Sequence, residues 1–262
     1  MTDPQDRNAR SSANQAQGEM PLVEHLLELR DRLLKMVLAV MICFAAIYPF
    51  ANEIYLWVSE PLTSLLPVGQ TMIATDVTSP FFAPLKLALV LAVFGAIPII
   101  LYQIWSFIAP GLYAHEKRLA FPLLFTSIVL FYLGAAFAYY VVFPLVFGFF
   151  TAIGPEGVVE LPDISSYLNF VLKMFFAFGV AFEIPIATIL LILTGATTPD
   201  DLAAKRPYIV VGCFVVGMLL TPPDIISQTL LAVPMWLLFE LGILFGRLAA
   251  RNTASDEETP EP

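Results

Sequence analysis

Six apolar runs constrain this chain more than any other feature of its sequence. A helix needs about 20 residues to cross roughly 30 Å of hydrocarbon. The predicted spans lie near 33–51, 82–108, 119–142, 169–194, 208–220 and 229–245, and a kink is expected at Pro98 in the second. The fifth and sixth are short. The sequence therefore predicts an all-α integral membrane protein with six transmembrane helices.

The composition supports a membrane protein. The 262 residues are 58% apolar and 13% charged, whereas a soluble domain is roughly one quarter charged. Such a chain has too few polar side chains to cover a globule in water. An amphipathic entry over 20–35 is expected to lead into the six-helix domain of 20–248. The polar segment 1–19 and the acidic segment 249–262 are predicted to be disordered cytoplasmic tails.

The cations set the predicted orientation. Of 13 Lys and Arg residues, only Lys86 and Lys173 fall away from the side that holds both termini. Because cytoplasmic loops carry an excess of Lys and Arg, both termini are predicted to be cytoplasmic. The expected location is the cytoplasmic (inner) membrane, crossed several times.

The two long outer loops, 52–81 and 143–168, are expected to contain short interfacial helices. Tyr55, Leu56 and Trp57 indicate this in the first loop, and Ile164 and Tyr167 indicate it in the second. The third outer loop is a tight turn. No internal repeat is visible, because long and short spans do not alternate as two inverted halves require.

Arg30 breaks the pattern of the amphipathic entry, because it falls on the apolar arc of that helix. Two interpretations remain open. Its long side chain reaches toward the lipid head groups, or it pairs with a carboxylate from a neighbouring helix.

Glu183 stands inside the fourth span and is followed by Ile184 and Pro185. An ionisable group in hydrocarbon is costly unless it is paired, wetted or neutral. It either faces a groove, a partner helix or a wet cavity, or it is protonated in a structural hydrogen bond. Pro185 lacks a backbone N–H and leaves a carbonyl one turn back that a protonated Glu183 could reach.

No motif in the chain predicts an enzyme. The sequence from His115 begins like the zinc motif HExxH, but Leu119 stands where the second histidine is needed. No nucleophile with its base is recognisable, and no cofactor, metal or nucleic-acid partner is expected. The main alternative function is a proton-coupled secondary transporter or small-solute channel with Glu183 as its intramembrane site. An intramembrane hydrolase is a more distant one.

Several motifs together resemble one family. They are 25–30 (HLLELR), 72–76 (MIATD), 79–82 (SPFF), 107–113 (FIAPGLY), 205–208 (KRPY) and 217–224 (GMLLTPPD). These segments, in this order, resemble TatC, the multispanning subunit of the twin-arginine protein translocase. The resemblance extends over about 20–247.

The resemblance implies a fold and a function. The family has six membrane helices in a cupped arrangement, with cytoplasmic termini and two short final helices. Its members recognise signal peptides that carry two arginines. They work with the single-span subunits TatB and TatA to export folded proteins, driven by the protonmotive force. Self-association in a larger complex is expected.

The resemblance also assigns roles to residues. It places signal-peptide binding at four positions: Glu28, Glu116, Phe107 and Arg30. It marks Glu183 as the polar residue of the fourth span, Pro61 and Asp76 as outer-loop positions, and Gln228 as a partner contact. Asp224 is either a plain N-cap of the last helix or a polar contact for a partner. Asp31 and Ala114 depart from the family pattern, because basic residues are common at these two places.

The two cytoplasmic carboxylates suggest a mechanism. Guanidinium groups are planar and always charged, and a carboxylate can accept two parallel hydrogen bonds from one of them. Glu28 and Glu116 both lie at predicted cytoplasmic helix ends among cations. We therefore expect them to converge on one face, where each accepts one arginine of the signal peptide, and we expect Phe107 to stack on a guanidinium or on the peptide.

Overall fold

The computed structural model describes the backbone of residues 4–64, 72–108, 120–153, 162–220 and 225–257. Almost all of these residues are helical, and the only β feature among them is a bridge between Ile73 and Asp163. Ten α-helices are present in this part of the chain. They are α1 Pro4–Ile47, α2 Ala51–Thr63, α3 Ser79–Ile108, α4 Ala120–Phe137, α5 Phe143–Ile153, α6 Ile164–Ala181, α7 Ile184–Leu193, α8 Pro199–Ala204, α9 Arg206–Leu220 and α10 Ile225–Glu257.

The prediction of an all-α membrane protein is confirmed. Five helical segments in the described residues are long and apolar enough to cross a membrane: 26–63, 79–107, 121–152, 164–193 and 228–248. The shorter apolar helix α9 corresponds to the predicted fifth span. Its 15 residues cover only about 22 Å. A short helix is present in the predicted first outer loop: α2, which a 3₁₀ turn over Tyr48–Phe50 joins to α1. That it lies at the membrane interface stays a prediction.

The fourth span differs most from its prediction. It begins at Ile164 and not near 169, so Ile164 and Tyr167 belong to the spanning helix and not to a separate interfacial one. It is also broken at Phe182 and Glu183, whereas α3 runs unbroken through Pro98. Pro185 explains the break, because it has no N–H to donate and its ring clashes with the preceding turn.

Three other segments are more helical than predicted. Helix α5 extends the third span beyond 142 after a π-helical turn over Ala138–Val142. Helix α10 is longer than the predicted sixth span, with an apolar stretch over 228–248. Residues 4–19 and 249–257, predicted to be disordered, continue α1 and α10. Both segments contain three Ala residues together with Glu and Arg, whose helix propensity is high.

Helix α4 packs against α3 and α6, and this helix and the turn that follows it supply hydroxyl groups to neighbouring helices. Pro61 and Pro98 cannot donate to the carbonyls four residues earlier, those of Trp57 and Phe94. Tyr139, just after α4, donates its hydroxyl to the Trp57 carbonyl at 3.0 Å, and Tyr132 donates to the Phe94 carbonyl at 2.8 Å. Each tyrosine thus replaces the backbone donor that a proline removes from another helix.

Removing the hydroxyl of Tyr132 tests this compensation. We expect Tyr132→Phe to lower the free energy of unfolding by about 1–3 kcal/mol, because the Phe94 carbonyl then lacks a donor. In a Pro98→Ala background the new backbone N–H supplies that donor, so the same substitution should cost much less. Thermal unfolding in detergent measures both effects. Tyr140→Phe is the matched control, because Tyr140 is exposed and its hydroxyl bonds no described residue. If Tyr132→Phe lowers the free energy of unfolding equally with Pro98 and with Pro98→Ala, then Tyr132 does not replace the donor that Pro98 lacks.

The start of α3 and the start of α6 are joined on the face that carries α2, called here the far face. Ile73 exchanges backbone hydrogen bonds with Pro162 and Ile164. The Asp163 carboxylate accepts from the backbone N–H and hydroxyl of Thr75, at 3.1 and 2.8 Å, and caps α6 by accepting from the Ser166 N–H at 2.9 Å. These hydrogen bonds stabilise the ionised carboxylate and hold the pKa of Asp163 well below its ordinary value, and the bond from the Ser166 N–H has the largest effect.

The lowered pKa of Asp163 predicts a pH dependence of stability. A depressed pKa means that the carboxylate stabilises the fold fully above its unfolded pKa of about 3.9. This contribution is lost as pH falls through the lower, folded value. We expect Asp163→Asn to lower the thermal midpoint in detergent near neutral pH, and the difference from the parent to shrink below about pH 4. A difference that stays constant down to low pH rules out the carboxylate as its cause.

Candidate functional site

Glu28 and Arg32 lie one turn apart on α1 and form the centre of the candidate site. The Arg32 guanidinium donates from Nε to the Glu28 Oε1 atom at 3.0 Å, and its Nη2 donates to the same oxygen. The guanidinium also donates to the backbone carbonyls of Gln103 and Ser106, at 3.3 and 3.2 Å, near the end of α3. Arg32 therefore caps α3 and at the same time ties Glu28 to it.

Helix ends explain why this arrangement is favourable. The last carbonyls of a helix have no partner within the helix and carry partial negative charge. A guanidinium has five N–H donors in a planar fork, so one arginine can satisfy a carboxylate and two carbonyls at once. The Arg32 side chain is 18% exposed and that of Glu28 is 46% exposed. The carboxylate thus stays open to water while its partner is packed between two helices.

The second oxygen of Glu28 has no donor within the described residues. Both hydrogen bonds from Arg32 end on Oε1, and no described residue donates to Oε2. An ionised carboxylate has about four acceptor positions. Glu28 can therefore accept another donor without giving up Arg32.

The chain next to this carboxylate contains the other predicted site residues. Phe107 lies in the last turn of α3, half-buried, and directly follows Ser106, whose carbonyl accepts from Arg32. Glu116 lies between the end of α3 at Ile108 and the start of α4 at Ala120, outside the described residues. Asp224 also lies outside them.

In the described part of the chain, Arg30 pairs with an adjacent residue of its own helix and not with a neighbouring helix. Its Nε and Nη2 atoms donate to the Oδ1 atom of the adjacent Asp31, at 3.0 and 2.7 Å, and its side chain is 62% exposed. Among the described residues, the partner is therefore a neighbour on the same helix and not a carboxylate from another helix. The partner is Asp31, one of the two positions that depart from the family pattern.

Glu183 contacts a neighbouring helix. It sits at the break between α6 and α7, and the Ser127 hydroxyl of α4 donates to its Oε2 atom. Its Oε1 atom is buried without a partner in the described part of the chain. The carbonyl left free by Pro185 is not its partner. No second titratable side chain is found within hydrogen-bonding distance of Glu183 among the described residues.

Removing the Ser127 hydroxyl tests the Glu183 contact. We expect Ser127→Ala to lower the free energy of unfolding by about 1–3 kcal/mol, because it leaves both oxygens of a largely buried carboxyl group without a protein donor. Thermal unfolding in detergent measures this. Thr126→Ala is the matched control, because the Thr126 hydroxyl bonds only the Pro122 carbonyl of its own helix. Equal effects of the two substitutions contradict the contact.

The remaining predicted residues have local structural contacts. Pro61 lies inside α2, where it frees the Trp57 carbonyl for Tyr139. Asp76 accepts from the Thr78 hydroxyl at 2.6 Å in the turn before α3. Gln228 donates its side-chain N–H to the Phe214 carbonyl at 2.7 Å and so joins α10 to α9. The predicted role of Gln228 in partner contact stays a prediction.

Two residues that organise the site were missed from the sequence. The spacing of four between Glu28 and Arg32 is a recognised signal for an ion pair along a helix, and it could have identified Arg32. No comparable signal points to Ser127, because its distance of 56 residues from Glu183 depends on how α4 packs on the fourth span.

Comparisons with known proteins agree with this fold. The family model described as Sec-independent protein translocase protein (TatC) matches residues 24–234. A curated TatC protein of Azotobacter chroococcum is 59% identical over 92% of this chain and 95% of its own length. The TatC protein of Escherichia coli strain K12 is 57% identical over 91% of this chain and 92% of its own.

Solved structures show the same arrangement of helices. The crystal structure of a twin-arginine translocase receptor TatC superposes with a TM-score of 0.77 at 40% identity. It covers 86% of this chain and 99% of the solved chain.

Proposed function

The chain belongs to the TatC family, and on that premise we propose that it is the receptor for twin-arginine signal peptides in a Tat translocase. It exports folded proteins across the cytoplasmic membrane together with TatA and TatB, using the protonmotive force. Both termini face the cytoplasm in this proposal, so Glu28 and the end of α3 lie on the cytoplasmic face. Its role is binding and transport, without covalent chemistry.

One observation carries the proposed binding site. The Glu28 carboxylate is partly exposed, is held beside the end of α3 by Arg32, and has one oxygen to which no described residue donates. The segment 109–119, which contains Glu116, starts from the end of α3. Glu28 thus lies close to the point where this segment leaves the helix. This supports convergence of Glu28 and Glu116 on one peptide.

The geometry favours arginine over lysine. Arg32 already donates to Oε1 of Glu28, so an incoming cation must bind the other oxygen, Oε2. A guanidinium can do so by directing two N–H groups to that one oxygen, as Arg32 does with Oε1, whereas an ammonium is a point charge that is more strongly hydrated. Hydrogen bonds to charged groups contribute roughly 1.5–3 kcal/mol each. Losing the fork therefore weakens binding without abolishing the electrostatic attraction.

Peptide binding to carboxylate variants tests the proposal. We expect Glu28→Gln and Glu116→Gln each to weaken binding of an Arg-Arg signal peptide by roughly 10- to 100-fold, which corresponds to one charged hydrogen bond. The preference for Arg-Arg over Lys-Lys should fall in both variants. Fluorescence anisotropy with the purified protein in nanodiscs measures affinity, and export of a folded reporter measures function.

The matched control is Glu53→Gln, which removes an exposed carboxylate on α2, on the far face. It should leave both measurements unchanged. If the double variant Glu28→Gln, Glu116→Gln still separates Arg-Arg from Lys-Lys peptides as the parent does, then the recognition site is elsewhere.

The transporter or channel alternative receives no support from the described residues. A proton pathway needs a chain of titratable or wet groups across the membrane. The Glu183 carboxyl group has Ser127 as its only described hydrogen-bond partner.

A further inference from the structure

A groove of about 620 Å³ between α3, α6, α9 and α10 has two lysines at one end. Lys86 stands on α3 and Lys173 on α6, and Asn169 lies one turn before Lys173. The Lys86 ammonium donates to the Asn169 side-chain oxygen. Both lysines are exposed and line the groove near the far face.

Neither lysine has an acidic partner among the described residues. The ion pairs in this part of the chain are Arg30–Asp31, Arg32–Glu28, Arg206–Glu240 and Arg247–Asp200. Lys86 and Lys173 lie seven and nine residues into apolar helices that start at Ser79 and Ile164. These distances are roughly 10 and 14 Å along the helix axes. Cations at such positions are expensive unless an anion or water reaches them.

The rest of the groove is apolar. Its wall is formed mainly by Phe176, Val180, Ile184, Val216, Leu220 and Met235. From Asn169 to Ala181 it follows α6 for about 18 Å, which is comparable with the roughly 15 Å of one leaflet of hydrocarbon. The groove therefore combines a cationic end with an apolar channel one leaflet long.

The shape of the groove and its two lysines favour a lipid as the occupant. An extended acyl chain is thinner than a helix, which is about 10 Å across, and it lies along the apolar wall. The phosphate of an anionic lipid also brings a negative charge to Lys86 and Lys173, which an apolar transmembrane helix does not.

We propose that this groove binds an anionic phospholipid of the phosphatidylglycerol type. Its phosphodiester lies between the ammonium groups of Lys86 and Lys173, and one acyl chain follows the apolar wall. A zwitterionic lipid carries its own ammonium next to the phosphate, so two lysines favour a head group without one. This site is separate from the proposed receptor site on α1.

Lipid binding to the purified full-length protein tests the proposal. Native mass spectrometry after titration with phosphatidylglycerol, with phosphatidylethanolamine and with inorganic phosphate compares the three ligands. We expect retention of phosphatidylglycerol at a stoichiometry of one, weaker retention of phosphatidylethanolamine, and none of inorganic phosphate. Lys86→Gln and Lys173→Gln should each weaken phosphatidylglycerol binding about fivefold, and together about 30-fold.

Three further variants keep the test decisive. Lys173→Arg should retain binding, since it keeps the cation, and it therefore separates loss of charge from loss of folding. Val216→Phe should weaken binding while both lysines remain, because it narrows the apolar wall at a position that is 41% exposed. Lys205→Gln removes an exposed lysine outside the groove and should change nothing.

The proposal is overturned if both lipids bind equally, if the double lysine variant binds phosphatidylglycerol like the parent, or if Val216→Phe has no effect. It is also overturned if cysteines at the groove crosslink to a partner's helix in the assembled complex while no phosphatidylglycerol is retained there. These outcomes are independent of signal-peptide binding.

Discussion

The absence of water in hydrocarbon constrains this fold more than any other single factor. Every backbone N–H and C=O inside the bilayer needs a partner within the protein, yet several of the helices contain proline. Hydroxyl groups from α4 and the turn that follows it donate to carbonyls that these prolines leave without a backbone donor. Tyr132 and Tyr139 reach the carbonyls that Pro98 and Pro61 leave free. Proline is thus tolerated in α2 and α3 because another helix supplies the donor, and these donors also fix how the helices pack.

The same requirement builds the candidate site. The last carbonyls of α3 have no partner within the helix, and Arg32 of α1 donates to one of them, that of Ser106, as well as to the Gln103 carbonyl. An arginine in this position must lie beside Glu28 because four residues separate the two on one helix. The same Arg32 side chain therefore caps α3 and holds the Glu28 carboxylate at the end of that helix. A change that disturbs the cap also moves the carboxylate.

The sequence predicts those features that depend on local pattern. Six apolar runs gave the number of spans, and aromatic residues indicated α2. The break at Glu183 was not predicted, because Pro98 and Pro185 look alike in sequence while only the second interrupts its helix. In α3, the Phe94 carbonyl that Pro98 leaves free accepts from the Tyr132 hydroxyl, a contact that the sequence does not show. The Ser127 partner of Glu183 and the Asp163 link between α3 and α6 are likewise contacts between distant segments.

Charge pairing on α1 bears on how the site would discriminate between peptides. Glu28 is paired with Arg32, and Arg30 with Asp31, so this stretch contributes little net charge of its own. Because its net charge is small, such a site exerts only a weak long-range electrostatic attraction on any cation. It can still select by shape, since an oxygen beside an occupied one admits a second planar guanidinium. Both pairs are partly exposed, so the desolvation cost of bringing a third charge to Glu28 stays small compared with that of a buried ion pair. Selectivity for arginine therefore follows from the geometry of one carboxylate that is already half engaged, more than from an accumulation of negative charge.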